Sequence, residues 1–260
     1  MTNETFEAFD WLGQALSCDA CPHRALSEVG RCRLRHACVF DRYAKRIDRF
    51  FGWNPALANE YLTHPYFEVR AVAAKHADVF QLPPLLEDGD ETVRWSAAQR
   101  LPQRYLKDLR QDPEREVRIR VALRLEPGEL VGMMHDPDYY VRTVVARRLP
   151  LALLPAMRND LDAQVRCEVA GRLELQALMP MAGDPDPAVR LMVAGRLPPH
   201  LLLFLLNDPD WQVRYRVAQR IEPRHLGTLL EDEDEAVREA AMARRSEGAA
   251  CDDDDNQERR

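Results

Sequence analysis

Residues 184–207 read DPDPAVRLMVAGRLPPHLLLFLLN, and this stretch contains the pattern that determines the fold. Its Val-Arg dipeptide begins at Val189. The same dipeptide recurs every 24 residues, beginning at Val69, Val93, Val117, Val141, Val165, Val213 and Val237. Eight copies in one register without an insertion do not arise by chance, and a fixed period of this size is typical of a solenoid. The sequence therefore predicts eight 24-residue repeats over residues 64–246.

The first half of each repeat has the spacing of an amphipathic helix. Val189, Val193 and Leu197 lie at i, i+4 and i+8, which places them on one buried stripe. Asp186 precedes Pro187, as expected for an N-cap followed by proline at the first helical position. Prolines follow the final leucine of three copies, at Pro102, Pro150 and Pro198, and should end the helix there.

The second half of each repeat is too short for another full helix. Its apolar positions form i, i+3 pairs, such as Leu202 with Leu205, between prolines. This spacing favours a 3₁₀-helix or a single α-turn, and the alternation expected of a strand is missing. We therefore predict an all-α solenoid in which α- and 3₁₀-helices alternate.

The arginine of each Val-Arg dipeptide has two possible roles. One is a basic ladder that contacts an acidic ligand. The other, which we favour, is an ion pair between neighbouring repeats, because ion pairs of this kind are mostly structural. The acids predicted to stack alongside the arginines are Asp90, Glu114, Asp138, Asp162, Asp186, Asp210 and Asp234.

The charge is unevenly distributed along the 260 residues. Residues 231–260 contain twelve acids against five arginines, which accounts for the whole net charge of −7. The preceding 230 residues are balanced, with 31 basic and 31 acidic side chains. A neutral body with an acidic end argues against nucleic-acid binding as a function. We expect the last repeat, which has Arg245 and Ser246 in place of apolar residues, to be a polar cap, and residues 247–260 to be a disordered tail.

The composition is that of a globular protein outside the membrane. Hydrophobic residues make up 46% and charged residues 30% of the chain. The longest uncharged apolar stretch, residues 201–206, is far below the roughly 20 residues that a bilayer span needs. The first residues contain acids and no basic segment before an apolar core, unlike a signal peptide. We therefore expect a cytoplasmic protein with reduced thiols.

Residues 1–63 do not repeat, and they contain four closely spaced cysteines. Cys18, Cys21, Cys32 and Cys38 follow the pattern C-x2-C-x10-C-x5-C. In a reducing compartment this density predicts a metal site. Cys167 and Cys251 stand apart from this group and are interpreted as plain thiols.

Four thiolates can hold either a tetrahedral zinc ion or an iron–sulfur cluster, and the spacing alone does not decide. Pro22 directly after Cys21 is typical of ferredoxin-type clusters. Residues 22–49 contain eight bases and three acids, and this positive charge would offset a negative cluster. His23 and His36 adjoin cysteines, but four thiolates already complete the site, so neither is expected to be a ligand.

An apolar segment follows the last cysteine. It is predicted to form one face of a helix ending near Gly52, made of Val39, Phe40, Tyr43, Ile47, Phe50 and Phe51. A second short helix should follow Pro55 and run through Leu57, Tyr61 and Leu62. These side chains are interpreted as a core that joins the cysteine domain to the first repeat, rather than as a cofactor-binding aromatic box.

The V-R-x-x-V-A-x-R-L repeat resembles that of the leucine-rich repeat variant family, and the segment from Cys18 into the first repeat resembles the iron–sulfur module of that family. The resemblance covers residues 18 to about 246. It implies a right-handed superhelix of alternating α- and 3₁₀-helices, and a 4Fe–4S cluster held by Cys18, Cys21, Cys32 and Cys38. Family members are typical of nitrogen-fixing bacteria, but the resemblance implies no biological role.

Three functions remain open on the sequence alone. The first is a scaffold that binds a cytosolic protein partner, with a cluster that is structural or senses redox state. The second is electron transfer through the cluster, and a structural zinc module on a binding solenoid is a further alternative. The third is an enzyme, which we do not expect, because the sequence contains no phosphate-binding loop, H-E-x-x-H motif or nucleophile elbow.

Overall fold

The computed structural model describes the backbone of residues 8–257 and the side chains of residues 8–246. Within this range the regular elements are helices, and β-pairing is limited to two isolated bridges, Phe9 with Ala15 and Arg33 with Ala37. No helix in the described range is both long enough and apolar enough to cross a bilayer. Contacts divide the chain into two compact units, Met1–Glu126 and Pro127–Arg260.

The α-helices are α1 (Arg24–Glu28), α2 (Ala44–Trp53), α3 (Phe67–His76), α4 (Glu91–Arg100), α5 (Arg115–Arg124), α6 (Tyr139–Arg148), α7 (Ala163–Arg172), α8 (Leu175–Leu178), α9 (Pro187–Arg196), α10 (Trp211–Ala218) and α11 (Glu235–Gln257). The 3₁₀-helices span Pro55–Tyr61, Val79–Gln81, Pro83–Glu87, Gln103–Tyr105, Asp108–Gln111, Pro127–Met133, Leu154–Met157, Met179–Gly183, Pro199–Leu205, Pro223–His225 and Gly227–Glu231. The predicted alternation of α- and 3₁₀-helices is confirmed. The short α8, which precedes a 3₁₀-helix in the same half-repeat, is the exception.

The helix of the repeat quoted above, residues 184–207, begins and ends as its sequence predicts. In α9 the Asp186 carboxylate accepts a hydrogen bond from the Ala188 N–H at 2.9 Å. The helix ends at Arg196, and Pro198 prevents its continuation. Val189, Val193 and Leu197 are fully buried, and Leu202 of the following 3₁₀-helix is fully buried as well. The apolar stripe and the i, i+3 leucines therefore form one core within the repeat.

The Val-Arg arginines form ion pairs between repeats, but with acids other than those predicted. Arg190 donates through Nε and Nη2 to both carboxylate oxygens of Asp208, the first residue of the next repeat, at 2.7 and 2.8 Å. Equivalent pairs are Arg70–Asp88, Arg94–Asp112, Arg142–Asp160, Arg166–Asp184 and Arg214–Asp232. The predicted acids lie two positions further along the chain than the paired aspartates. Most of them serve instead as helix N-caps: Asp90, Asp138, Asp162, Asp186, Asp210 and Asp234. Glu114 occupies the same position without forming a side-chain cap.

A second arginine of the repeat, six positions after the first, also links neighbouring repeats. The Nη1 group of Arg196 donates to the carbonyl oxygen of Ala170 in the preceding repeat at 2.6 Å. Arg100, Arg172 and Arg220 make the same contact to Ala74, Ala146 and Ala194. These carbonyls belong to the last turn of a helix and have no partner within it, so the arginine satisfies them.

The predicted disordered tail, residues 247–260, overlaps the end of the last helix. Helix α11 continues through Gln257, so the backbone of residues 247–257 is helical, and residues 258–260 lie outside the described range. Arg245 is exposed at a position where the six preceding repeats bury leucine or isoleucine, as expected of a polar cap.

The cysteine-containing segment packs directly on the first repeats. Ile47, Phe50 and Phe51 of α2 are fully buried in one core that also contains Val69 of α3 and Val93 of α4. Helix α2 begins only at Ala44, so the predicted inclusion of Val39, Phe40 and Tyr43 in this helix is wrong. The reason is the buried carboxylate of Asp41. It accepts a hydrogen bond from the Tyr43 N–H at 3.0 Å and forms an ion pair with Arg46 at 2.7 Å. These contacts hold residues 41–43 in a turn just before the helix.

Candidate metal centre

The four cysteines lie in two turns that border α1. Cys18 and Cys21 are half-buried in the turn before α1, where the Cys21 N–H donates to the Cys18 carbonyl at 3.4 Å. Cys32 and Cys38 are buried and flank a second turn. None of these four thiols is in a disulfide.

The second turn brings Cys32 and Cys38 together. The Arg33 and Ala37 backbones are paired by two hydrogen bonds, of 2.9 Å from the Arg33 N–H and 2.8 Å from the Ala37 N–H. Arg35 at the tip has a φ of 66°, in the left-handed region. The tight turn reverses the chain between the two cysteines, so the C-x5-C spacing brings both thiols to one site.

Electrostatic interactions join the four sulfur atoms into one group. A hydrogen bond between Cys32 and Cys38 and burial raise the pKa of the Cys38 thiol, while the same hydrogen bond lowers the pKa of Cys32. Burial and the neighbouring charges of Cys21 and Cys38 raise the pKa of Cys18. Because these thiolates repel one another, a cation is needed before all four can ionise together.

Backbone N–H groups point at three of the sulfur atoms. The His23 N–H donates to the Cys21 sulfur at 3.4 Å. The backbone N–H groups of Arg33 and Phe40 interact with Cys32 and Cys38 and favour their thiolate forms, although the pKa of Cys38 is raised overall by its hydrogen bond with Cys32 and by burial. Such donors stabilise thiolate charge and tune the potential of iron–sulfur sites.

The described His, Cys, Asp and Glu side chains include no group of three or more in an arrangement that could hold a metal ion. The four thiols are therefore neighbours without a closed ligand shell. Their donor chemistry nevertheless fits an iron–sulfur cluster, because four uncrosslinked cysteines interact with one another and three receive N–H groups.

Neither histidine beside the cysteines is directed at the sulfur atoms. The His23 ring forms a hydrogen bond with the Tyr61 hydroxyl and lies 5.2 Å from the Phe50 ring. Burial lowers the pKa of His23 and raises that of Tyr61 to about 12, so both are neutral at pH 7. The Nδ1 atom of His36 lies 3.0 Å from a guanidinium nitrogen of Arg49.

An aromatic cluster supports the site from the first repeat, and the sequence pattern did not reveal most of it. Trp11 stacks on Tyr66 with ring centroids 5.9 Å apart and meets His64 edge-on at 4.7 Å. His64 in turn lies 5.9 Å from Tyr61. These residues are scattered along the sequence without helical spacing, so only the predicted core role of Tyr61 pointed to the cluster.

Cys167 is half-buried on α7, where burial is the main factor that raises the pKa of its thiol. This environment is that of an inert thiol, as predicted. The side chain of Cys251 lies outside the described residues.

Comparisons with known proteins give the same architecture. Residues 8–60 match a family model described as "LRV protein FeS4 cluster". A solved structure described as a leucine-rich repeat variant with a novel repetitive protein structural motif is 43% identical, with a TM-score of 0.85. The match covers 88% of this chain and 98% of that one.

A curated relative extends the comparison to a bacterium. It is described as an uncharacterized 27.7 kDa protein in the nifB 3′ region of Rhodobacter capsulatus and is 57% identical over 96 residues. The alignment covers 37% of this chain and 39% of that protein. The repeat architecture, the cysteine module and the nearly complete coverage of a solved relative lead to one conclusion: this chain belongs to the leucine-rich repeat variant family.

Proposed function

We propose that this protein is a cytoplasmic, non-enzymatic repeat scaffold whose N-terminal module holds a 4Fe–4S cluster through Cys18, Cys21, Cys32 and Cys38. The observation that carries the proposal is the mutual interaction of these four free thiols, three of which receive a backbone N–H. When bound, such a cluster would supply a one-electron redox centre.

The residues around the cysteines tie the site to the repeats. Cys32 is part of the same buried core as Phe50 and Phe51 of α2 and Val69 of α3. His23, directly after Pro22, contacts Tyr61, which is joined by a ring contact to His64 at the start of the first repeat. A cluster held here would thus stabilise the first repeats, which fits a structural or redox-sensing role.

The repeats would present a surface to a cytosolic protein partner. This part of the proposal rests on the repeat architecture, because stacked repeats build extended binding surfaces. Arg94, Arg190 and Arg214 of the Val-Arg dipeptides do not serve as that surface, because they are buried in pairs with aspartates.

Metal analysis of protein purified without air tests the cofactor. About four irons and four sulfides per chain are expected, together with an iron–sulfur EPR signal after reduction. Alanine at Cys18, Cys21, Cys32 or Cys38 should abolish the chromophore, whereas Cys167→Ala should preserve it. Stoichiometric zinc without iron or sulfide would contradict the cluster and show that the four cysteines form a structural zinc module.

A partner capture experiment tests the scaffold role. Tagged protein is used under anaerobic and aerated conditions, and the experiment is repeated with Cys21→Ala. Weaker capture of the same protein by aerated and Cys21→Ala samples is expected, because loss of the cluster should alter the first repeats. Equal capture by all three samples would rule out redox sensing.

Electron transfer is a second candidate function. The half-exposed positions of Cys18 and Cys21 favour it, since a redox centre near the surface can exchange electrons with another protein. Rapid, reversible reduction by a physiological carrier, without any effect of redox state on partner capture, would support this function over a sensing scaffold.

A further inference from the structure

The cysteine module contains more positive charge than its own acids neutralise. Its three acids between residues 22 and 49 already have partners: Glu28 pairs with Arg24 at 3.5 Å, Asp41 with Arg46 at 2.7 Å, and Asp48 with His76 at 3.0 Å. Six cations of this segment form no ion pair with a carboxylate of the described residues: Arg31, Arg33, Arg35, Arg42, Lys45 and Arg49.

Three of these cations lie around one turn, residues 33–37, which we call the cationic turn. Arg33 begins it and Arg35 forms its tip, and both side chains are exposed. Arg49 of α2 reaches across and donates to the His36 carbonyl at 2.8 Å. A guanidinium nitrogen of Arg49 also lies 3.0 Å from the His36 Nδ1 atom, which holds this third cation beside the turn.

Arg35 occupies a conformation that does not suit arginine. It is the one described residue other than glycine with a positive φ, at 66°. A non-glycine residue pays roughly 1 kcal/mol for this conformation. For folding alone glycine would be the better residue here. The arginine side chain makes no ion pair within the described range that would compensate, so the tip of the turn presents an exposed cation in a strained conformation.

The position of the turn indicates which function a molecule bound there would have. Cys32 and Cys38, two of the proposed cluster ligands, lie at its two ends. Any molecule that binds the turn is therefore only a few residues from the proposed redox centre. Cationic residues around such a centre would steer a negatively charged protein toward it and orient the encounter.

We propose that the cationic turn docks an acidic electron-carrier protein. This inference rests on the iron–sulfur site proposed above and names the class of protein that exchanges electrons with it. In each encounter the carrier loses one electron and the site gains one, or the reverse, and no covalent bond is made or broken. The role holds whether the site senses redox state or passes electrons onward.

A binding measurement with flavodoxin, a small acidic electron carrier, tests the surface. The test variant is Arg33→Gln/Arg35→Gly, and the control is Arg104→Gln, which removes an exposed arginine that only covers the Tyr105 ring. Wild-type protein should bind flavodoxin at low ionic strength and more weakly at physiological salt. The double variant should bind about tenfold more weakly, while the control should stay within about twofold of wild type.

The unfolding midpoint separates docking from damage. Arg35→Gly alone should leave the midpoint unchanged or raise it, because glycine relieves the left-handed conformation. Wild-type protein that fails to bind flavodoxin, or a double variant that binds as tightly as wild type, would overturn the proposal. Tighter binding of a short DNA duplex than of flavodoxin would also overturn it. Iron analysis of the same samples reports separately on the cluster.

Discussion

At the scale of single residues, two arginines and one aspartate connect a typical repeat to its neighbours. The Arg190 and Asp208 side chains are only 10% and 3% exposed, and every polar atom of the two side chains forms a hydrogen bond. The sequence indicated an inter-repeat ion pair but not the correct acid. Asp208 and Asp210 look equivalent in the sequence. Only the structure shows that Asp210 caps a helix, while Asp208 receives the arginine.

Replacing the paired aspartate should therefore be costly. Asp208→Asn leaves the Arg190 guanidinium buried against an amide N–H₂, and we expect the free energy of unfolding to fall by about 3–5 kcal/mol. Glu233→Gln is the control, because Glu233 also contacts an arginine but is 84% exposed, and it should cost well under about 1 kcal/mol. Urea unfolding measures both. Equal effects of the two substitutions would contradict a structural role for the ladder.

The same pairs predict loss of stability in acid. The hydrogen bond from Arg214 lowers the pKa of Asp232 against the opposing effect of burial. The pKa values of Asp88, Asp160 and Asp184 are also lowered, because arginine contacts and N–H bonds outweigh burial. The stabilisation is fully present above the unfolded-chain pKa of about 3.9, and it is lost as the pH falls through the lower folded values.

Urea unfolding from pH 7 to pH 2 measures this dependence. Wild-type stability should fall below about pH 4, and Asp232→Asn should show a shallower fall because one titrating pair is gone. Identical pH profiles of the two proteins would show that the pair does not contribute to acid stability.

At the scale of elements, the sequence predicted the helices better than their boundaries and connections. The i, i+4 stripe and the prolines correctly predicted the helices in both halves of the repeat. Side-chain burial at this spacing and the missing N–H of proline determine the local backbone conformation. The start of α2 was placed too early, because the contacts of Asp41 that hold the preceding turn join residues that are not periodic. The role of Arg196 was missed for a similar reason: its partner is a backbone carbonyl 26 residues away.

Removing this second arginine should weaken the contact between two repeat helices. Arg196→Gln leaves the Ala170 carbonyl at the end of α7 without its partner, and we expect a loss of about 1 kcal/mol. Arg216→Gln on α10 removes an exposed arginine and should change stability by less than half as much. Hydrogen exchange in the last turn of α7 should rise only in the first variant. Similar exchange in both proteins would contradict the capping role.

At the scale of the whole molecule, the repeat is the unit of stability. In the repeat of α9, Arg190 pairs with Asp208 at the start of the next repeat, and Arg196 reaches back to Ala170 in the preceding one. If residues 184–207 are deleted, Asp208 takes the place of Asp184 opposite Arg166. Arg220 takes the place of Arg196 near Ala170, so both ladders remain in register.

Deletion of a complete repeat should accordingly be tolerated better than deletion of half of one. The variant lacking residues 184–207 should unfold cooperatively with a moderately lower midpoint. The variant lacking residues 184–195 removes fewer residues but places the arginines and aspartates out of register, and it should be far less stable. Thermal unfolding followed by circular dichroism compares them, and equal damage would show that 24 residues are not the structural unit.

The central claim is that the cysteine module is an integral part of the first repeats, because Cys32, α2, α3 and α4 share one buried core. Hydrogen exchange of the anaerobic protein, before and after removal of iron with a chelator, tests this claim most directly. We predict that iron removal increases exchange in α2, α3 and α4 and leaves α9 and α10 unchanged. Unchanged protection of α3 and α4 after complete loss of iron would contradict the account.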